Sequence, residues 1–81
     1  MTRQVHVAYY AMLREEAHRG EETVATPAAT PAALYEELRR RHGFRLAASD
    51  LQVAIDDEFA TWDAPLRDGA RVVFIPPFAG G

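Results

Sequence analysis

A chain of 81 residues allows one domain that buries roughly 60% of its unfolded surface, which excludes a deep internal active site with several catalytic walls. Hydrophobic residues at 48%, charged residues at 26% and a net charge of −3 describe an ordinary globular domain with no electrostatic reason to seek nucleic acid or an anionic membrane. Cysteine is absent, so neither a disulfide nor a cysteine persulfide on this chain is available.

No apolar run approaches the ~18 residues of a membrane span. The start of the chain lacks a signal-peptide pattern, so the cytosol is the expected compartment. All nine basic side chains are arginine. No side-chain amine is therefore present on this chain to act as an acyl acceptor.

Residues 3–11 read as a strand. Val5, Val7 and Tyr9 alternate with His6, Ala8 and Tyr10, the period of two of a half-buried strand. Residues 12–18 have helical character, with Gly20 expected to stop the helix. Residues 21–25 form a second strand leading back across the first.

Residues 30–42 carry the clearest helix. Thr30 is the expected N-cap and Pro31 the first helical residue, where a missing N–H costs nothing. Leu34, Tyr35 and Leu38 mark its apolar face. Glu36 and Glu37 precede Arg39, Arg40 and Arg41 at pairing distance. The arginines, with His42, suit the negative end of the helix, and Gly43 is a natural stop. This run reads as a solvated helix end rather than a phosphate site.

A connector with a possible helical turn spans 46–51. A strand at 52–55, a turn at Asp56-Asp57 and a short returning strand at 58–61 follow. Residues 63–69 are turn-rich, and 71–75 form a strong final strand. A long helix lying across a mixed sheet would bury the apolar faces of both. The order therefore indicates an α+β domain of the ubiquitin-like β-grasp type over 1–75, followed by an extended, flexible tail over 76–81.

His6, His18 and His42 are scattered without metal-ligand spacing and read as surface or structural residues. Asp56-Asp57-Glu58 lacks the calcium-loop pattern and reads as a solvated turn. Trp62 is expected to plug the edge of the core. No Ser/His/Asp set or phosphate-binding glycine loop is visible, so an independent catalytic site is not expected.

The chain's end has its own logic. Val72, Val73, Phe74 and Ile75 anchor it. Pro76-Pro77 cannot donate to a ladder and stiffen the exit. Gly80-Gly81 removes every Cβ from the last two positions, as a tail entering a narrow channel requires, and leaves the terminal carbonyl open to attack. A carboxylate becomes a useful acyl donor once ATP converts it to an acyl-adenylate, which sulfide or a persulfide can displace. A terminal Gly-Gly alone carries little; coupled to a strand and a Pro-Pro stiffener it carries more.

Three segments then matter together: Tyr9-Tyr10-Ala11-Met12-Leu13-Arg14-Glu15, Trp62-Asp63-Ala64-Pro65-Leu66-Arg67-Asp68-Gly69 and Phe74-Ile75-Pro76-Pro77-Phe78-Ala79-Gly80-Gly81. In sequence and spacing they resemble the sulfur carriers that serve as the small subunit of molybdopterin synthase. The likeness covers the whole chain. Asp56, where that family often has Asn, and Phe78, where Val is common, depart from the pattern without touching the Gly-Gly chemistry.

The resemblance implies that an E1-like enzyme adenylates Gly81 using ATP. A sulfur donor such as a cysteine desulfurase or rhodanese then converts it to a thiocarboxylate. The charged tail enters a larger catalytic subunit, in a heterotetramer, and delivers sulfur to cyclic pyranopterin monophosphate. The carrier binds no cofactor or metal and is not an enzyme on its own. Sister carriers in thiamin synthesis, cysteine synthesis and tRNA thiolation, and ubiquitin-like modifiers that join lysines, share the same tail and remain alternatives. An inert β-grasp binding module is the third.

Strand alternation also indicates a contact surface. With Val5, Val7 and Tyr9 inward, Tyr10 points away from the core, and with Val72 and Phe74 inward, Ile75 points out. Tyr10 and Ile75 are expected to form one patch near the tail, extended by Phe59, Phe78, Pro76, Pro77 and Ala79. In the resembled family the large subunit docks through apolar residues around the tail.

Overall fold

The strand at the start of the chain, β1, runs Arg3–Tyr9 in the computed structural model, which describes residues 1–77. It is followed by α1 (Ala11–Ala17), β2 (Glu21–Thr26), α2 (Pro31–His42), a 3₁₀ turn (Ala48–Asp50), β3 (Gln52–Ile55), β4 (Glu58–Ala60) and β5 (Arg71–Ile75). The sheet order is β2-β1-β5-β3-β4. β1 and β5 are parallel at its centre, with Tyr9 beside Phe74, and the other pairs are antiparallel.

β1 is shorter than its alternation suggested. Ala11 adopts φ +52°, a left-handed conformation that turns the chain out of the strand. Tyr10 becomes the N-cap of α1 instead of a strand residue. Gly20 does not end α1 either. His18 does, at φ +60°, with its N–H donating to the Glu15 carbonyl at 3.3 Å. Gly20 is used two residues later, where its carbonyl accepts the Tyr9 N–H at 2.8 Å and ties the loop to β1. β4 stops at Ala60, one residue before the expected end.

α2 matches its sequence signals. The Thr30 hydroxyl accepts the Ala33 N–H at 3.2 Å. Gly43, at φ +74°, closes the helix with its N–H on the Arg39 carbonyl at 2.8 Å. Leu34, Tyr35 and Leu38 are fully buried. Tyr35 tilts against Phe74 of β5 with ring centroids 5.1 Å apart, and Trp62 stacks on the same Phe74 at 5.9 Å. Trp62, half-buried, therefore closes the edge of the core as expected. The Tyr35 hydroxyl donates to the Leu46 carbonyl at 2.7 Å, and burial pushes its pKa up to about 12.

The helix side of the sheet also holds a polar knot. Glu22 projects inward from β2 and its Oε2 accepts the Tyr9 hydroxyl at 2.5 Å, with His42 Nε2 2.7 Å away and Arg19 3.6 Å from Oε1. Burial opposes the Glu22 charge. The hydrogen bonds from Tyr9 and His42, with the His42 and Arg19 charges, outweigh it and hold the carboxyl below the usual range. The same burial and the same carboxylate push the Tyr9 phenol up. His42 is thus a structural histidine joining α2 to the sheet.

Asp56 and Asp57 have φ +51° and +71°, as the two central residues of a type I′ hairpin turn require. The Asp56 Oδ1 accepts the Arg71 N–H at 2.9 Å. Among the described residues, no group of three His, Asp or Glu could hold a metal ion. Nor is any helix long and apolar enough to cross a membrane.

Candidate docking face and tail exit

β5 positions the site. Its inward residues Val72 and Phe74 are fully buried in the core, while Arg71, Val73 and Ile75 lie on the face opposite α2. Ile75 is half-buried and pairs with Gln52. The half-buried Pro76 and exposed Pro77 follow, forming a shallow groove with Ile75, Gln52 and Asp50. The chain therefore leaves the sheet from its middle, flanked by β1 and β3. Phe78, Ala79, Gly80 and Gly81 lie outside the described residues.

Strand register defines what this open face presents. Ala8 of β1 pairs with Val73 of β5, Val73 with Ala54 of β3, and Ala54 with Phe59 of β4. These four apolar residues form one continuous row across the sheet. Phe59 is 73% exposed at its end. Ile75 lies two residues beyond Val73, on the same face. Tyr10, 52% exposed, follows Tyr9 at the strand end beside Phe74. One step the other way the row is polar: Thr23, His6 and Arg71 are neighbours, with His6 Nδ1 3.1 Å from the Thr23 hydroxyl.

Tyr10 and Phe59 are exposed as expected, but the residues linking Phe59 to the tail were missed. Ala8, Val73 and Ala54 are small or half-buried, and none attracts notice in isolation. Their alternation phase within each strand was readable. Their alignment needed the register.

A mixed five-stranded sheet crossed by one long helix, with its last strand central and parallel to its first, is a ubiquitin-like β-grasp domain. The model of the ThiS family matches residues 7–81, and the chain belongs to that family of small sulfur carriers. It is 30% identical over 80 residues to the molybdopterin synthase sulfur carrier subunit of Escherichia coli, covering 95% of this chain and 99% of that one. A structure described as molybdopterin converting factor subunit 1 from Pyrococcus furiosus is 29% identical, with a TM-score of 0.80, over 94% of this chain and 99% of that one. The small archaeal modifier protein 1 of Haloferax volcanii shares the fold at 17% identity, with a TM-score of 0.79 over 94% of this chain and 99% of that one.

Proposed function

We propose that this chain carries sulfur on the Gly81 carboxyl group and donates it within molybdopterin synthase, as the small subunit beside a larger catalytic one. What carries the reading is the likeness to the Escherichia coli sulfur carrier along nearly the whole chain, joined to a central strand that hands the chain to Pro76-Pro77 and the glycine end. Residues 1–75 form the folded domain and 76–81 the working tail. In this reading the chain acts as a substrate-bearing subunit in the cytosol.

The chemistry is an acyl transfer. The Gly81 carboxylate attacks the α-phosphate of ATP on an E1-like enzyme, releasing pyrophosphate and forming an acyl-adenylate. Sulfide attacks the carbonyl carbon and AMP leaves. Where a cysteine desulfurase or rhodanese supplies the sulfur as a persulfide, AMP leaves in the same way and a thiol then cleaves the resulting acyl disulfide, freeing the thiocarboxylate and forming a disulfide with the donor. The thiocarboxylate then enters the large subunit and transfers its sulfur to cyclic pyranopterin monophosphate. Gly80 keeps the approach to the carbonyl unobstructed. Tyr10, Phe59, Ile75, Pro76, Pro77, Phe78 and Ala79 form the contact with the large subunit, joined by Val73 and Ala54.

Deleting Gly81 tests the assignment. Molybdopterin formation in a reconstituted system is expected to vanish while the melting temperature stays unchanged, since a terminal residue contributes little burial. Normal product from the shortened chain would refute it. The second reading, a protein modifier, is favoured by the shared fold of the archaeal modifier protein. Intact mass after incubation with cell extract separates the two: exchange of one oxygen for sulfur marks the carrier, and covalent ladders on other proteins mark the modifier.

A further inference from the structure

The fold has no use for the charge of Arg14. The neighbouring acids are engaged elsewhere: Glu16 pairs with Arg45 and Glu22 with Arg19, both at 3.6 Å. Arg14 is exposed, and its side chain makes no ion pair with a described residue. Its guanidinium nevertheless has a seat. It lies against Gly20, with Cζ and Nε each 3.4 Å from the point that a Cβ would occupy there. Glycine leaves that surface flat, whereas a branched side chain at position 20 would push the guanidinium off it. Seating a long side chain costs rotamer entropy, and no pairing within the described fold offsets that cost.

Placement supplies a reason. The Gly20 carbonyl accepts the Tyr9 N–H, and Tyr9 stands beside Phe74, two residues before Pro76. Two strand spacings separate Gly20 from β5, so the guanidinium lies roughly 10 Å to the β2 side of the strand that carries the exit. Arg14 also follows Tyr10, the N-cap of α1, by one helical turn, which brings the two exposed side chains to one side of the helix. On the other flank of the exit, Gln52 and Asp50 line the groove along Pro76-Pro77. A cation therefore stands on one side of the exit and a carboxylate on the other. A tail in a channel fixes how deep the carrier docks, but not its rotation about the tail. A charge held off that axis does fix the rotation.

Resting on the reading of this chain as the small subunit of molybdopterin synthase, we propose that Arg14 grips a carboxylate on the large subunit and so sets the rotation of the carrier about its tail. The planar fork of a guanidinium suits a carboxylate in two-point contact, and the flat seat on Gly20 holds the fork ready. An ammonium at the same place keeps the charge and loses the second contact. Arg14 extends the contact already assigned to Tyr10, adding direction to a surface that is otherwise apolar.

The test titrates the full chain against the large subunit by calorimetry at low and high salt, with a thermal melt of each variant. Arg14→Gln should raise Kd by roughly ten- to a hundredfold at low salt, the loss expected of a charge-assisted pair, and should flatten the salt dependence. Arg14→Lys should recover only part of the affinity. Gly20→Val keeps the cation but removes its seat, and should also weaken binding. With the large subunit saturating, the thiocarboxylate form of Arg14→Gln should also make molybdopterin more slowly than the parent, because a carrier turned about its tail presents its sulfur badly. Parental Kd and salt dependence for Arg14→Gln would overturn the inference. Weaker binding with a parental rate at saturation would overturn the orienting role, and parental affinity for Arg14→Lys would overturn the two-point contact. A parent chain that does not bind the large subunit at all would refute the small-subunit reading instead.

Discussion

Replacing Phe59 by arginine probes the proposed docking face where it is least entangled with the core. A phenylalanine side chain presents about 200 Å², and 73% of this residue is exposed. Covering all of that surface would contribute up to about 3.5 kcal/mol at about 25 cal/mol per Å². Because Phe59 stands at the end of the apolar row, a partner covers roughly half of it, worth about 2 kcal/mol. The substitution also brings a charge to a contact that would have to desolvate it, so about 2 kcal/mol is a lower bound, or roughly a thirtyfold rise in Kd. The folded domain should be nearly indifferent, since Phe59 lies outside the buried core. Calorimetric titration against the large subunit of molybdopterin synthase, with a thermal melt of the free chain, separates these effects. Unchanged affinity with an unchanged melt would remove Phe59 and its row from the interface. A lower melting temperature comparable to the affinity loss would show that the residue supports the fold instead.

Glu22→Gln should change the acid limb of the stability curve. The folded carboxyl is held below its ordinary value of 4.5, so its contribution is present above that pH and is lost as pH falls through the folded value. Thermal melts from pH 7 to 3 should therefore fall less steeply for the glutamine variant; parallel curves would refute the network. Ala11→Gly relieves a left-handed alanine costing about 1 kcal/mol, partly offset by glycine's freedom when unfolded, and should raise the melting temperature by roughly 2–4 °C. Gly80→Val should leave the melt unchanged but slow both adenylation, measured as ATP–pyrophosphate exchange, and sulfur delivery; parental rates would dispose of the narrow-channel argument.

The fold was legible wherever local chemistry and burial pointed the same way. Thr30, Pro31 and Gly43 bounded α2 because a cap, a proline and a left-handed glycine act within one turn. β5 was clear from a run of Val, Val, Phe and Ile between Arg71 and Pro76. The misplaced ends of β1 and α1 share a cause: Ala11 and His18 occupy left-handed backbone that their residue types disfavour, and no local pattern announces it. The two exposed aspartates of the turn, Asp56 and Asp57, by contrast accept that geometry readily. The open apolar face proposed for docking was half legible. Tyr10, Phe59 and Ile75 could be assigned outward by alternation, but Val73 and Ala54 join them only through the order β5-β3-β4, set by pairing between segments far apart in sequence. The Tyr9–Glu22–His42 knot was missed because its members come from three elements and carry no spacing signal.

The central position of β5 also bears on how the molecule comes into being. β1 can pair with β2, and β3 with β4, from local hairpin-like segments, but the two halves become one sheet only when the last strand slots between them. On the ribosome that strand is made after the other four, so the sheet cannot close before it emerges, and its slow step is a long-range parallel pairing. Pro76-Pro77 thus stand between β1 and β3 only on a chain whose sheet has closed. Copies that have not closed the sheet lack the Val73 row beside that exit. A partner that reads both features would leave those copies alone.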